Sequence, residues 1–162
     1  MKKVLLSLFI LSAVFAYSQT GVCSNFHRKY CSVEGKGGDS DGWRYNAQSR
    51  SGLFSQGTTS KIRCVIYKGM DYRINVCCDT QLGTKLNYKI FDAKTNELLY
   101  DNASADGQSL FEFQSTATRQ LVIEVSVPKG ASEKDSHKPT DAACVGLLIE
   151  HKITDKQGFS SY

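Results

Sequence analysis

Apolar and polar residues alternate with a period of two through most of the chain after Lys61. Ile62, Cys64 and Ile66 share one phase, and Lys68-Gly69-Met70-Asp71 interrupts them as a turn. Tyr72, Ile74, Val76 and Cys78 then alternate with Arg73, Asn75 and Cys77, and after Gly83 Leu86, Tyr88 and Ile90 alternate with Lys85, Asn87 and Lys89. The polar stretch Asp92 to Asn96 reads as a hairpin connection, with a return strand over Glu97 to Tyr100. A second polar loop, Asp101 to Gln108, precedes a short strand from Leu110 to Phe113. Leu121, Ile123, Val125 and Val127 form the next alternating set, stopped by Pro128-Lys129-Gly130. A charged loop, Ser132 to Asp141, leads to a last strand over Cys144 to Lys152. Period two puts successive side chains on opposite faces of an extended chain, so these segments predict half-buried strands.

The count is seven to eight short strands, at the spacing of a sandwich or barrel. No segment beyond the N-terminus holds a helical period over three turns, so the crossover helices of a parallel sheet are missing. The expected fold is all-β: an antiparallel two-sheet β-sandwich, jelly-roll-like. Before Lys61 the pattern differs. Residues 19–54 are polar and Gly-rich, and Gly35 to Gly42 reads as a loop. Trp43, Tyr45, Leu53 and Phe54 suggest an irregular lead-in strand packed on the main body. The organisation read from sequence is therefore 1–18, 19–54, 55–153 as the sandwich, and 154–162 as a tail.

The first of these segments carries an address. Lys2 and Lys3 precede an apolar run from Val4 to Ala16, and Ala16-Tyr17-Ser18 offers small residues at the two positions a signal peptidase reads. The run is too short to span a bilayer, which takes about 20 residues. Cleavage is expected just before Gln19. Cys23 follows Thr20-Gly21-Val22, which is not an apolar lipobox, so neither a lipid anchor nor a transmembrane anchor is expected. The expected location is the periplasm or the exterior.

Charge adds an exclusion. The net charge of the 162 residues is +4, Lys2 and Lys3 contribute two of these, and the remaining charges are interspersed. Without a basic stripe, nucleic acid is not an expected partner.

All six cysteines, Cys23, Cys31, Cys64, Cys77, Cys78 and Cys144, lie beyond the signal segment, and an exported chain with an even count reads as disulfide-bonded. Cys23 and Cys31 are close enough to staple a local turn. Cys77 and Cys78 are adjacent and point to opposite strand faces, so at least one reaches across the fold, with Cys144 the expected partner.

The stretch from about Gly57 to His151 resembles the bacterial pre-peptidase C-terminal domain, a jelly-roll-like β-sandwich of secreted proteins. The resemblance is carried by Tyr67-Lys68-Gly69-Met70-Asp71-Tyr72-Arg73-Ile74-Asn75-Val76, by Tyr88-Lys89-Ile90-Phe91-Asp92 with its turn through Thr95-Asn96-Glu97, and by Leu121-Val122-Ile123-Glu124-Val125. The closing segment Ala143 to His151 is also similar to the end of a group of small secreted bacterial proteins with no assigned activity. The resemblance implies a fold and an accessory role, and it transfers no catalytic residue.

Candidate chemistry is sparse. Cys23, His27 and Cys31 would share a helix face and suit zinc, but a structural site needs a fourth ligand, so a local disulfide is the preferred reading. The Asp101 to Asp106 loop has two carboxylates, where calcium takes six to eight oxygens. Glu112, Glu124 and Glu150 read as solvated strand positions rather than an acid/base pair, and no serine sits in a G-x-S-x-G elbow. No cofactor, metal or catalytic residue is expected. Trp43, Tyr45 and Tyr67 are the candidate ligand face. The function read from sequence is an exported, non-catalytic binding or structural module with a protein or glycan of the envelope as partner. Its rivals are a carbohydrate-binding module using those aromatics and an accessory domain of an extracellular hydrolase, or a weak hydrolase itself.

Overall fold

The computed structural model describes residues 21–32, 42–82, 86–129 and 142–154. The segment 1–18 read as a signal peptide, the charged stretch Ser132 to Asp141 and all of the expected tail except Thr154 lie outside the described residues, as does most of the Gly35 to Gly42 stretch.

The described chain is a two-sheet antiparallel β-sandwich. It begins with a short helix, α1 (Phe26–Tyr30), and continues through β1 (Arg44–Tyr45), β2 (Arg50–Ser55), β3 (Thr59–Ile66), β4 (Met70–Cys78), β5 (Asn87–Asp92), β6 (Leu98–Asp101), β7 (Leu110–Ser115), β8 (Arg119–Ser126) and β9 (Ala142–Ile153). Nine strands stand among the described residues where seven to eight were expected. Sheet hydrogen bonding begins at Arg44, within the segment read as a polar lead-in. One sheet runs β1-β9-β4-β7, with β2 also paired to β9, and the other runs β3-β8-β5-β6.

The register follows from the alternation. On β4, Tyr72, Ile74 and Val76 face the second sheet, opposite His151, Ile149 and Leu147 of β9. On β8, Leu121, Ile123 and Val125 close the core from the other side. Ile74 and Ile123 are fully buried, and burial of one such side chain contributes roughly 1.5–3 kcal/mol. The turns obey local chemistry. Asp92 Oδ1 accepts hydrogen bonds from the N–H groups of Lys94 (2.8 Å) and Thr95 (3.1 Å), which sets the β5–β6 hairpin. Gly69 takes φ +78° in the β3–β4 turn, where a side chain would be strained.

The polar loop after Asp101 is more ordered than its composition suggests. Asn102 begins a 3₁₀ turn and is buried, bonding the Tyr88 N–H and the Leu86 carbonyl, each at 2.8 Å. The carboxylate of Asp101 accepts from Ala103 N–H and pairs with Lys89.

Candidate functional site

The outer face of the five-stranded sheet, away from the core, carries the polar chemistry. Arg73, Asn75 and Cys77 of β4 and Cys144, Gly146, Leu148 and Glu150 of β9 occupy its outward phase. The N-terminal segment lies across this face. A Cβ added to Gly146 would fall 2.7 Å from the Cα of His27 and into contact with Cys31 Sγ, so α1 rests directly on the backbone of β9. Only glycine admits that approach.

Two disulfides fasten the segment. Cys23 bonds Cys144, and Cys31 bonds Cys77. Both expected pairings are corrected: Cys23 and Cys31 do not staple each other, and Cys144 does not reach Cys77 or Cys78. The reason is strand phase. Cys77 and Cys144 both point outward, and each meets a cysteine of the segment that covers them. Cys64 and Cys78, also candidate cross-links, lie outside both disulfides. They occupy the inward phase of β3 and β4, where Cys64 belongs to the core and Cys78 packs against it. Burial pushes the Cys64 thiol up to about 11.

Between the two bridged cysteines, α1 presents His27. Its ring Nδ1 is 2.6 Å from Ser51 Oγ on β2, its Nε2 is 3.1 Å from the Tyr45 hydroxyl on β1, and its backbone N–H donates to the same Ser51 Oγ at 2.8 Å. The ring is buried, and burial followed by the nearby charges of Arg28 and Arg50 lowers its pKa. The Arg28 guanidinium lies 4.7 Å over the Tyr45 ring. Arg50 donates to the carbonyls of Ala47 and Ser49. His27, Tyr45, Arg50 and Ser51 border an open cleft of about 760 Å³, together with Ser24 and Asn25.

A serine bonded to a histidine invites comparison with a nucleophile and its base. The differences are chemical. Ser51 Oγ is already occupied by a backbone N–H, and the second ring nitrogen meets a phenol where a triad would place a carboxylate. The arrangement pins α1 to β1 and β2.

A second cluster stands beside it. Arg73, 1% exposed, donates from Nε to Glu150 at 2.5 Å. Trp43 lies beneath Arg73 (4.7 Å) and Lys152 (5.0 Å). Glu150 is thus the partner of a buried guanidinium, not a solvated residue. Glu124 pairs with Lys61 and Glu112 is exposed. The three aromatics named for a ligand face do not make one row. Trp43 is 8% exposed and covered by cations, Tyr45 (38%) leans on His27, and Tyr67 (54%) sits in the β3–β4 connection. Sequence reasoning missed Ser51, Arg28, Arg50 and Arg73. The first three have no periodic context, and Arg73 falls on the phase that reads as solvent. The zinc arrangement of Cys23, His27 and Cys31 is not present, because both sulfurs are in disulfides.

No protein-family model matches the chain, and no curated protein matches it. Among solved structures it is similar to the crystal structure of Aeromonas hydrophila PliG, a periplasmic lysozyme inhibitor of g-type lysozyme, at 14% identity and a TM-score of 0.43, over 65% of this chain and 84% of that one. With no family model matching, what stands of the expected resemblance to the pre-peptidase C-terminal domain is the mostly β, two-sheet fold and no family assignment. No helix among the described residues is long and apolar enough to cross a membrane.

Proposed function

We propose that the protein is an exported, non-catalytic β-sandwich module that acts by binding in the periplasm or outside the cell. The observation that carries this is the pair of disulfides bracketing α1. They tie the N-terminal segment to the two central strands of one sheet, across 121 and 46 residues of sequence. Cross-links of this kind persist in oxidising compartments, in agreement with the signal sequence read from residues 1–18. The saturated hydrogen bonds of His27 favour a pin over a base. A sugar platform gains no support, since Trp43 is buried beneath two cations.

The test begins with expression of the whole chain from Met1 in a bacterial host. Fractionation, N-terminal sequencing and thiol counting in denaturant without reduction follow. The expected product is extracytoplasmic, begins within two residues of Gln19, and has two titratable thiols, Cys64 and Cys78. A cytoplasmic chain beginning at Met1 with six thiols would overturn export. Labelling of Ser51 by a fluorophosphonate probe would overturn the non-catalytic reading. Co-purification of an envelope protein or glycan with the native chain, lost on reduction, is the expected sign of binding.

A further inference from the structure

β6 and β7 each stand at the end of a sheet. A row of rings runs between them and into the core: Tyr72, Phe113, Phe111, Tyr100 and Tyr88, with successive centroids 5.7, 5.2, 3.9 and 5.4 Å apart. Beside Phe111 and Phe113 is a cavity of about 170 Å³ whose inner wall is Ile66, Ile90 and Leu121, with the exposed Leu99 at its rim. Its size is that of one aromatic ring, since an apolar cavity of about 150 Å³ holds benzene.

One charge faces this slot. Residues 119, 121, 123 and 125 alternate inward along β8, so Arg119 holds a core-phase position at the mouth where its strand-mates are apolar. Its guanidinium is 3.6 Å from Asp92 Oδ2, an ion pair too long for a hydrogen bond. The other oxygen of Asp92 is committed to the hairpin N–H groups of Lys94 and Thr95. A guanidinium has five donors in a fork that matches a carboxylate. An apolar slot one ring deep with an arginine at its lip is complementary to a ring that carries an anion a short distance away.

We infer that this cavity is a binding site for a small arylalkyl carboxylate, the ring seated against Phe111, Phe113 and Leu121 and the carboxylate on Arg119. The inference deepens the binding role proposed above by naming a ligand class. It fails separately from that role, because export and the thiol count do not depend on the cavity.

The experiment titrates the folded, oxidised protein with 3-phenylpropionate and with 3-phenylpropanol, following amide shifts by NMR. Saturable binding of the carboxylate is expected, with shifts confined to the Ile66 end of β3, to β5, β7 and β8, and to the Leu99 region. The alcohol should bind about tenfold or more weakly, the difference that charge-assisted hydrogen bonds supply. Arg119→Gln should bring the carboxylate down to the level of the alcohol and leave the alcohol unchanged. Leu99→Trp, at an exposed rim position, should block both while the amide spectrum stays folded. Equal affinity for acid and alcohol, binding indifferent to Leu99→Trp, or no saturable binding at millimolar ligand would each overturn the inference, leaving the cavity a packing gap beside Phe111 and Phe113.

Discussion

Replacing Gly146 with alanine adds a single methyl group, and the structure specifies where it goes. The new Cβ would stand 2.7 Å from His27 Cα and 3.0 Å from His27 N, and against Cys31 Sγ. The two nearest groups are backbone and a disulfide, neither of which can rotate away as a flexible side chain would. To relieve the clash α1 must lift from β9. Lifting strains the Cys31–Cys77 bridge and loosens the Ser51 bonds to His27. Overpacking of this kind costs about 1–3 kcal/mol. Each kcal/mol moves the midpoint of a domain of about 150 residues by roughly 2–4 °C, so Gly146→Ala should lower Tm by about 2–12 °C. Circular dichroism melts of the oxidised protein measure it. The mechanism has a second signature. In a Cys31→Ser/Cys77→Ser background α1 is freer to move, so the same alanine should cost less than in the wild type, a non-additivity expected of residues in contact. Gly69→Ala would also destabilise, through its positive φ, but nothing lies within 4 Å of its Cβ and its cost should not change in that background. If Gly146→Ala melts within a degree of wild type, or costs as much without the disulfide, the helix does not rest on β9 as described.

Two other features predict measurable changes. Arg73→Met or Glu150→Leu alone leaves a buried charge without its partner and should cost about 3–5 kcal/mol in urea unfolding, whereas the double variant should recover most of that loss; a double variant as unstable as the sum of the singles would contradict the buried pair. His27 predicts a pH dependence. Its folded pKa is lowered beneath the ordinary 6.5, so the unfolded chain binds the proton first; its stabilising contribution is complete above 6.5 and is lost as pH falls through the folded value, at no more than about 1.4 kcal/mol per pH unit. Asp92 and Asp101 are also lowered, but their losses begin near 3.8, so His27→Gln should flatten the stability curve as pH first falls below 6.5 and leave the acid limb intact.

The sandwich was legible because its inward positions are written in alternation. Tyr72, Ile74 and Val76, or Leu121, Ile123 and Val125, declare a buried phase without help from the rest of the chain. The candidate site was not legible in this way. Arg73, Asn75 and Cys77 look like a solvated face, and they are covered only because a segment far away in sequence lies over them. That segment has no period of its own, and a helix of five residues is too short to show one.

The last strand nevertheless contained a sign of the cover. Val145 to Ile149 is buried at every position rather than at every second one. A strand apolar on both phases needs something on both faces. The second sheet supplies one cover. The segment left without a periodic assignment, residues 19–54, is the source of the other, and Gly146 marks where its backbone comes closest. Phase then constrains the cross-links. A cover on the outer face can reach only outward cysteines, which are Cys77 and Cys144, and Cys64 and Cys78 are excluded because they point inward. The segment brings two cysteines, Cys23 and Cys31, to two outward partners. Read through strand phase rather than through nearness in sequence, the alternation leaves Cys77 and Cys144 as the partners within reach of the covering segment, and the structure joins them to Cys31 and Cys23.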